Sequence, residues 1–398
     1  CNAAVNPYFG PSQEIPDSAY EKILGANILS NHWLCQMTIP EMAERRDGVV
    51  IIISSIGGVK GSKELGAYCI SKAADMQMAR NLAVEWGPSN IRVNAISPGP
   101  MKTLAGAAIG GARQEVIFSR HQKEIGRPAR WLSVPLVLTS NTWENGKNEL
   151  SHQDPSLAES MLSETSDISR GLFPADYNSA SETLARLYQT QGQIWTLVIP
   201  KRPMPVLFSA DESQNLLKDG GIQISWAGHE AETAEICLMA VGAYQLIEVL
   251  KASARLKERG IGHSVSYLIE PGRFRAPRNK GEEDHAVSDA VRDAIVPPST
   301  RHVLMVAHTR PEVMLGTLQP LWAGRSVKAL GFINQGGTLD VEGMHFVNGC
   351  SWAHITREVA ALMQIEESKV LTDEECRVLS GQISPDGIIT KINNIFYV

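Results

Sequence analysis

Ser55, Tyr68 and Lys72 are three side chains whose types and spacing can move a proton to and from a carbonyl oxygen. Tyr68 and Lys72 stand four apart, so on a helix they share one face. An ammonium beside a phenol favours the phenolate, which makes Tyr68 a proton donor and acceptor for a carbonyl/alcohol pair. Ser55 follows an aliphatic run, where its hydroxyl can hydrogen-bond the same oxygen. Asn27 adds an amide that can hold a water relaying protons to the lysine. A Tyr-x-x-x-Lys pair alone is common and is usually a solvated helix face. This one keeps specific company: Asn2-Ala-Ala, Ser55-Ile-Gly-Gly, Asn94-Ala-Ile-Ser-Pro-Gly and Thr103.

The elements that must position these residues alternate between helix and strand. Residues 21–44 are helical in pattern. Residues 49–54 form a continuous β-branched run, as expected of a parallel strand buried on both faces. Met76, Ala79, Leu82, Ala83 and Trp86 then recur at helical spacing, and residues 91–96 form a second short strand closed by Pro98 and Gly99. This βαβ order implies a doubly wound α/β sheet.

From the Asn-Ala-Ala motif to the Pro-Gly motif, residues 1–103 resemble the C-terminal half of the short-chain dehydrogenase/reductase family. The resemblance implies Asn27, Ser55, Tyr68 and Lys72 as a catalytic tetrad. It also implies Asn2, Tyr68, Lys72, Pro98 and Gly99 at an NAD(P) cofactor, with Lys72 on the nicotinamide ribose. Cys1 stands where the family has its first Asn. The family's Thr-Gly-x-x-x-Gly-x-Gly loop, whose glycines let backbone approach a pyrophosphate at a helix N-terminus, is not found in this sequence.

A second polar cluster follows. The run from Thr139 ends in Ser151-His-Gln-Asp-Pro. A lone His-Gln pair in a loop is more often a surface feature. Here Phe173-Pro-Ala-Asp, read as a strand end leading into a helix capped near Asn178, comes next. A strand ending in Pro200 and Lys201, and the segment Gly331-Phe-Ile-Asn-Gln-Gly-Gly-Thr, complete the order. Residues 110–398 are similar to the pyrimidine-binding and C-terminal domains of phosphoketolases and, more loosely, transketolases. The resemblance implies His152 facing an intermediate on thiamine diphosphate and Lys201 holding a sugar phosphate, a role that suits an ammonium. Asn145 and Lys147 stand where phosphoketolases carry Gln and His. The family's Mg²⁺- and diphosphate-binding domain is not found.

Composition sets limits on the rest. The chain has 398 residues, enough for two or three domains. A net charge of -6, without a Lys/Arg run or aromatic-basic interleaving, argues against nucleic acid and against a basic membrane-binding helix. The six cysteines show no metal-ligand or redox spacing, as in a reducing cytosol. His308, His345 and His354 share no spacing that suggests a metal. Residues 270–275 read as a solvated turn, residues 278–284 as a charged loop, and Asp340 with Glu342 as surface carboxylates.

The expected architecture is therefore α/β: a partial Rossmann-like sheet over 1–103, then two α/β domains of transketolase type over 104–205 and 236–398. A small, flexible seam near 104–111 and a linker over 206–235 separate them. The whole reads as a fragment or fusion. It is expected in the cytoplasm, as a homo-oligomer or with a missing partner domain. Three functions follow: a phosphoketolase- or transketolase-like enzyme of sugar-phosphate metabolism; an NAD(P)-dependent oxidoreductase acting on a small carbonyl; or a non-catalytic remnant.

Overall fold

A computed structural model of the chain describes residues 4–8, 10–97, 104–139, 141–144, 154–335 and 339–390. It divides into two compact units, Cys1–Ala107 and Ala108–Val398. Both are built from parallel strands and helices, an α/β architecture.

In the first unit, strand β1 (Gly48–Ile53) pairs in parallel with β2 (Ile91–Ile96), Val50 opposite Val93 and Ile52 opposite Ala95. Residues 17–44 run helically in three pieces: α1 (Asp17–Leu24), a π-turn (Gly25–Leu29) and α2 (Ser30–Glu44). Helix α3 (Gly66–Trp86) follows the β1 loop. Val50 and Ile52 pack with Cys35 and Ile39 of α2 and Ala79 of α3. The other face of β1 is open, with Val49 46% and Ile51 44% exposed. The strand expected to be buried on both faces is thus covered on one, because both helices that pack on it lie on the same side among the described residues.

The glycine- and alanine-rich stretch expected as a flexible seam is instead helical, the start of α4 (Leu104–Glu124). Alanine is the strongest helix former, and its run tolerates the interspersed glycines. The division between the units falls inside this helix.

The second unit holds two sheets. Strands β3 (Val134–Thr139), β4 (Ser169–Leu172) and β5 (Ile194–Ile199) form a parallel sheet in the order β3-β5-β4. Strands β6 (Gly221–Gln223), β7 (Ile236–Val241), β8 (Ser264–Leu268), β9 (His302–Ala307) and β10 (Ser326–Leu330) form a second sheet in the order β10-β9-β7-β8-β6. Only β6 runs antiparallel. Every residue of β7 is buried, as its unbroken apolar sequence requires of a central parallel strand. Short helices α5 (Asn141–Glu144) and α6 (Ser156–Ser163) and the longer α7 (Tyr177–Leu187) accompany the first sheet.

Several polar stretches are more ordered than their sequence suggested. The expected linker carries α8 (Ala210–Asp219), closed by a Ser209/Glu212 capping box, and then β6. Helix α9 (Ala243–Glu258) follows β7, and the charged loop at 278–284 contains α10 (Lys280–His285), capped by Asn279. The cap of α7 is Asp176, not Asn178: its carboxylate accepts from Ser179 N at 2.9 Å and from Leu207 and Phe208 N. The turn at 270–275 is buried rather than solvated. Arg170 grips Glu270 with both arms, His285 lies 3.0 Å from the same carboxylate, and the guanidinium stacks 3.8 Å above the Trp195 ring. Asp340 is likewise buried and accepts from Gly343 N, which corrects its reading as a surface carboxylate.

Candidate functional site

Ser55 leaves the end of β1 and caps a 3₁₀ turn, Ile56–Gly58, its Oγ accepting from Gly57 N at 3.1 Å. That turn lies directly on α3. A Cβ on Gly57 would stand 3.0 Å from Cys69 Sγ, and one on Gly58 would stand 2.8 Å from the Lys72 carbonyl carbon and oxygen. Glycine is therefore required for an approach this close. Ser54, fully buried, donates from Oγ to the Lys72 carbonyl at 2.6 Å and tightens the same contact. The result brings the Ser55 loop onto the helix that carries Tyr68 and Lys72.

Tyr68 is half-buried, and the Lys72 Nζ lies 5.8 Å from the centre of its ring. The ammonium itself is buried. It donates to the Ile53 carbonyl and to Asp75 Oδ2, both at 2.9 Å. Its charge is thus compensated by a carboxylate that the sequence reading passed over. Asp75 stands three residues after Lys72 on the same helix, and that i,i+3 spacing within an apolar stripe was the available signal.

Asn27 sits in the π-turn, where Ser30 N bonds to Gly25 O five residues back. Such widened turns often place a residue for function. Its side chain was expected to hold a water near the lysine. It is spent otherwise: Oδ1 accepts from Val5 N at 2.7 Å, while Nδ2 donates to Val5 O at 3.1 Å and to Ser71 Oγ at 2.9 Å. Ser71 Oγ in turn donates to the Tyr68 carbonyl at 2.7 Å. Asn31, one turn later on α2, donates to the Asn27 carbonyl and to Asp75 Oδ1, each at 2.9 Å. Asn27 therefore reaches Lys72 through Asn31 and Asp75 rather than through its own amide. Asn2, Pro98 and Gly99 lie outside the described residues.

In the second unit, His152 also lies outside the described residues, as do residues 336–338. Lys201 follows β5 and is exposed. Its backbone N–H donates to the Glu144 carboxylate at 2.9 and 3.0 Å, as does that of Arg202 at 3.2 Å, and the Tyr244 hydroxyl donates to the same group. Burial, then the Glu144 carboxylate, hold the Tyr244 proton firmly on. The backbone donors at Lys201 and Arg202 are thus taken by an internal carboxylate.

His308 and His345 are buried against Trp143, His345 stacking on it with ring centres 4.3 Å apart. Burial, and then the nearby His345, push His308 down to about 3, so its imidazole is neutral. No group of three or more side chains suited to a metal occurs among the described residues. No described helix is long and apolar enough to cross a membrane.

Two family models match different, overlapping stretches of this sequence. Residues 1–142 match a family model described as enoyl-(acyl carrier protein) reductase, within the short-chain dehydrogenase/reductase group. Residues 104–190 match D-xylulose 5-phosphate/D-fructose 6-phosphate phosphoketolase. The first match runs beyond residue 103 and overlaps the second.

Among individual relatives, dehydrogenase/reductase SDR family member 4 of Bos taurus is 37% identical over 142 residues, covering 35% of this chain and 51% of the relative. The Sus scrofa protein of the same name is 42% identical over 102 residues, covering 26% of this chain and 37% of the relative. The chain thus spans about half the length of the first of these, or less. A closed-form serine dehydrogenase complexed with NADP+ is similar at 26% identity over 25% of this chain and 40% of that one, with a TM-score of 0.24.

Proposed function

We propose that the first unit carries the proton-transfer half of an NAD(P)-dependent oxidoreductase site acting on a small carbonyl or alcohol. The observation that supports this reading is the seating of the turn after Ser55 on α3, the helix that carries Tyr68 and Lys72, at Cys69 and Lys72. The relatives named as dehydrogenase/reductases support it. Lys72 fits a nicotinamide ribose: of its three N–H donors, two go to Ile53 and Asp75, which leaves the third for a ribose hydroxyl. When bound, the nicotinamide supplies or takes the hydride.

The chain's own residues handle the oxygen. Ser55 Oγ accepts from Gly57 N and so has its proton to donate to a substrate oxygen. Tyr68 gives that oxygen its proton as the carbonyl is reduced, and takes it back in oxidation. Lys72 supplies a positive potential beside the phenol, moderated by Asp75.

The test uses the full chain with NADPH or NADH and a panel of small aldehydes and ketones, following cofactor oxidation. Carbonyl-dependent turnover is expected, and Tyr68→Phe should lower kcat by about a hundredfold or more. Absence of turnover with both cofactors, or turnover indifferent to Tyr68→Phe, overturns the reading.

A second reading rests on the phosphoketolase match over 104–190: a thiamine diphosphate enzyme of sugar-phosphate metabolism, with His152 and Lys201 in its site. A phosphate there has to be held by the Lys201 side chain without the neighbouring backbone N–H groups, which Glu144 occupies. Titration calorimetry with thiamine diphosphate and Mg²⁺ separates the two readings. No saturable heat is expected, and micromolar binding would promote the second.

A further inference from the structure

Asp75 lies on the buried face of α3, between Ser71 and Lys72 one turn before it and the apolar Met76 and Ala79 after it. A buried ion pair is poor evidence for stability, since apolar residues of similar size usually serve a core as well or better. Its bonds are nonetheless fully directed. One Asp75 oxygen takes a Lys72 N–H and the other takes the Asn31 amide, each at 2.9 Å. The second hydrogen of that amide is fixed on the Asn27 carbonyl in the π-turn. Asn27 is anchored through both its oxygen and its nitrogen on Val5. A continuous buried chain of bonds therefore runs from Val5 to Lys72, and each residue from Asn27 onward in it is almost wholly inaccessible to water.

The consequence falls on the lysine. The Asp75 carboxylate and the Ile53 carbonyl claim two of the three ammonium hydrogens. In a tetrahedral ammonium these two bonds set the direction of the third. We propose that Asp75, oriented by Asn31, is the positioning residue of Lys72. It fixes where the remaining N–H points and keeps the ammonium at its station beside Tyr68. The importance of this for turnover rests on the oxidoreductase reading; the positioning itself does not.

The experiment uses the full chain and two readouts. The first is the rate at which Lys72 is acetylated by an activated ester, measured by mass spectrometry, alongside alkylation of Cys69. Cys69 is buried one turn away on the same helix. A positioning role predicts that Asp75→Asn raises Lys72 labelling by about tenfold, with Cys69 labelling unchanged, because the lysine alone is released. A merely structural role raises both together and overturns the proposal, as does labelling left at the wild-type rate. If Asp75→Asn does not fold, Asn31→Ala decides by the same pair of rates, with a rise of about threefold expected at Lys72 only. If neither variant folds, the two residues are structural and the proposal fails. The second readout is the split between kcat and KM in carbonyl reduction. A positioning role lowers kcat by roughly tenfold in Asp75→Asn and leaves the carbonyl KM within about twofold. If wild type shows no turnover, the oxidoreductase reading fails while the labelling rates still decide the role of Asp75.

Discussion

Glu282 carries a carboxylate 1% exposed, yet it is held charged. Burial opposes that charge. The Arg278 side chain, at 2.6 and 3.0 Å, and the N–H groups of Ser166 and Arg278, at 2.9 and 2.8 Å, outweigh it and bring the group down to about 2. A carboxyl depressed in the folded state stabilises fully above its unfolded value, near 4.5, and loses that stabilisation as the pH falls toward about 2. Glu282→Gln is therefore expected to cost on the order of 3 kcal/mol at neutral pH, with the gap to wild type closing between about pH 4.5 and 2. Urea denaturation across that range checks it; a gap that stays constant with pH rules the linkage out. Glu270 follows the same logic, since Arg170 and then His285 overcome its burial and hold it well below the carboxylate range. Both residues stood in stretches that looked solvated in the sequence: Arg170 is 100 residues from Glu270, and the Arg278/Glu282 pair reads alike buried or solvated until Ser166, 116 residues away, closes over it. Ser55, Tyr68 and Lys72 were legible because their chemistry is written in local spacing. Asp75 stands only three residues from Lys72, but its second partner, Asn31, is 44 residues away, and nothing in the intervening sequence marks the meeting.

At the scale of elements, the close approach of the Ser55 turn to α3 makes a sharp demand. A methyl at Gly58 meets backbone atoms of Lys72 at 2.8 Å and Ala73 N at 3.0 Å, and a helix backbone cannot yield as a side-chain tip can. Gly58→Ala is expected to destabilise the first unit by about 1–3 kcal/mol and to shift Ser55 away from Tyr68. Gly61→Ala, where a methyl meets nothing within 4 Å, is expected to change stability by less than about 0.5 kcal/mol. Thermal melts of the two variants compare them directly, and equal losses count against the packing account. The strands were largely readable, since runs such as 236–241 are β-branched or apolar throughout and end at glycine. The π-turn was not, because one widened turn leaves the surrounding helical periodicity intact. The helix at 210–219 was missed through its polar surface, although Ser209 and Glu212 at capping-box spacing announced its start. Open exposure of one face of β1 was equally hidden: an aliphatic strand reads the same whether one or both of its faces are covered.

Among the described residues, each unit has apolar clusters of its own. The cluster around Val50, Ile52 and Ile39 draws only on residues 35–95, while the clusters around β5, β7, β8 and β9 draw only on residues beyond 111. Cooperative unfolding follows shared apolar burial, so each unit is expected to melt as its own transition. Unfolding enthalpy scales with length, at about 0.7 kcal/mol per residue near 60 °C, so units divided at Ala107 should absorb heat in a ratio of roughly one to three. The smaller transition belongs at the lower temperature, because the first unit covers its sheet on one face while β7 is buried on both. Scanning calorimetry of the full chain tests this with the variants already described. Gly58→Ala should lower the smaller transition by several degrees, roughly 4–8 °C per kcal/mol for a unit of this length, and leave the larger one in place. Glu282→Gln should do the reverse. A single transition moved by both substitutions would show that the units fold as one, and would reject the division that the separate cores imply.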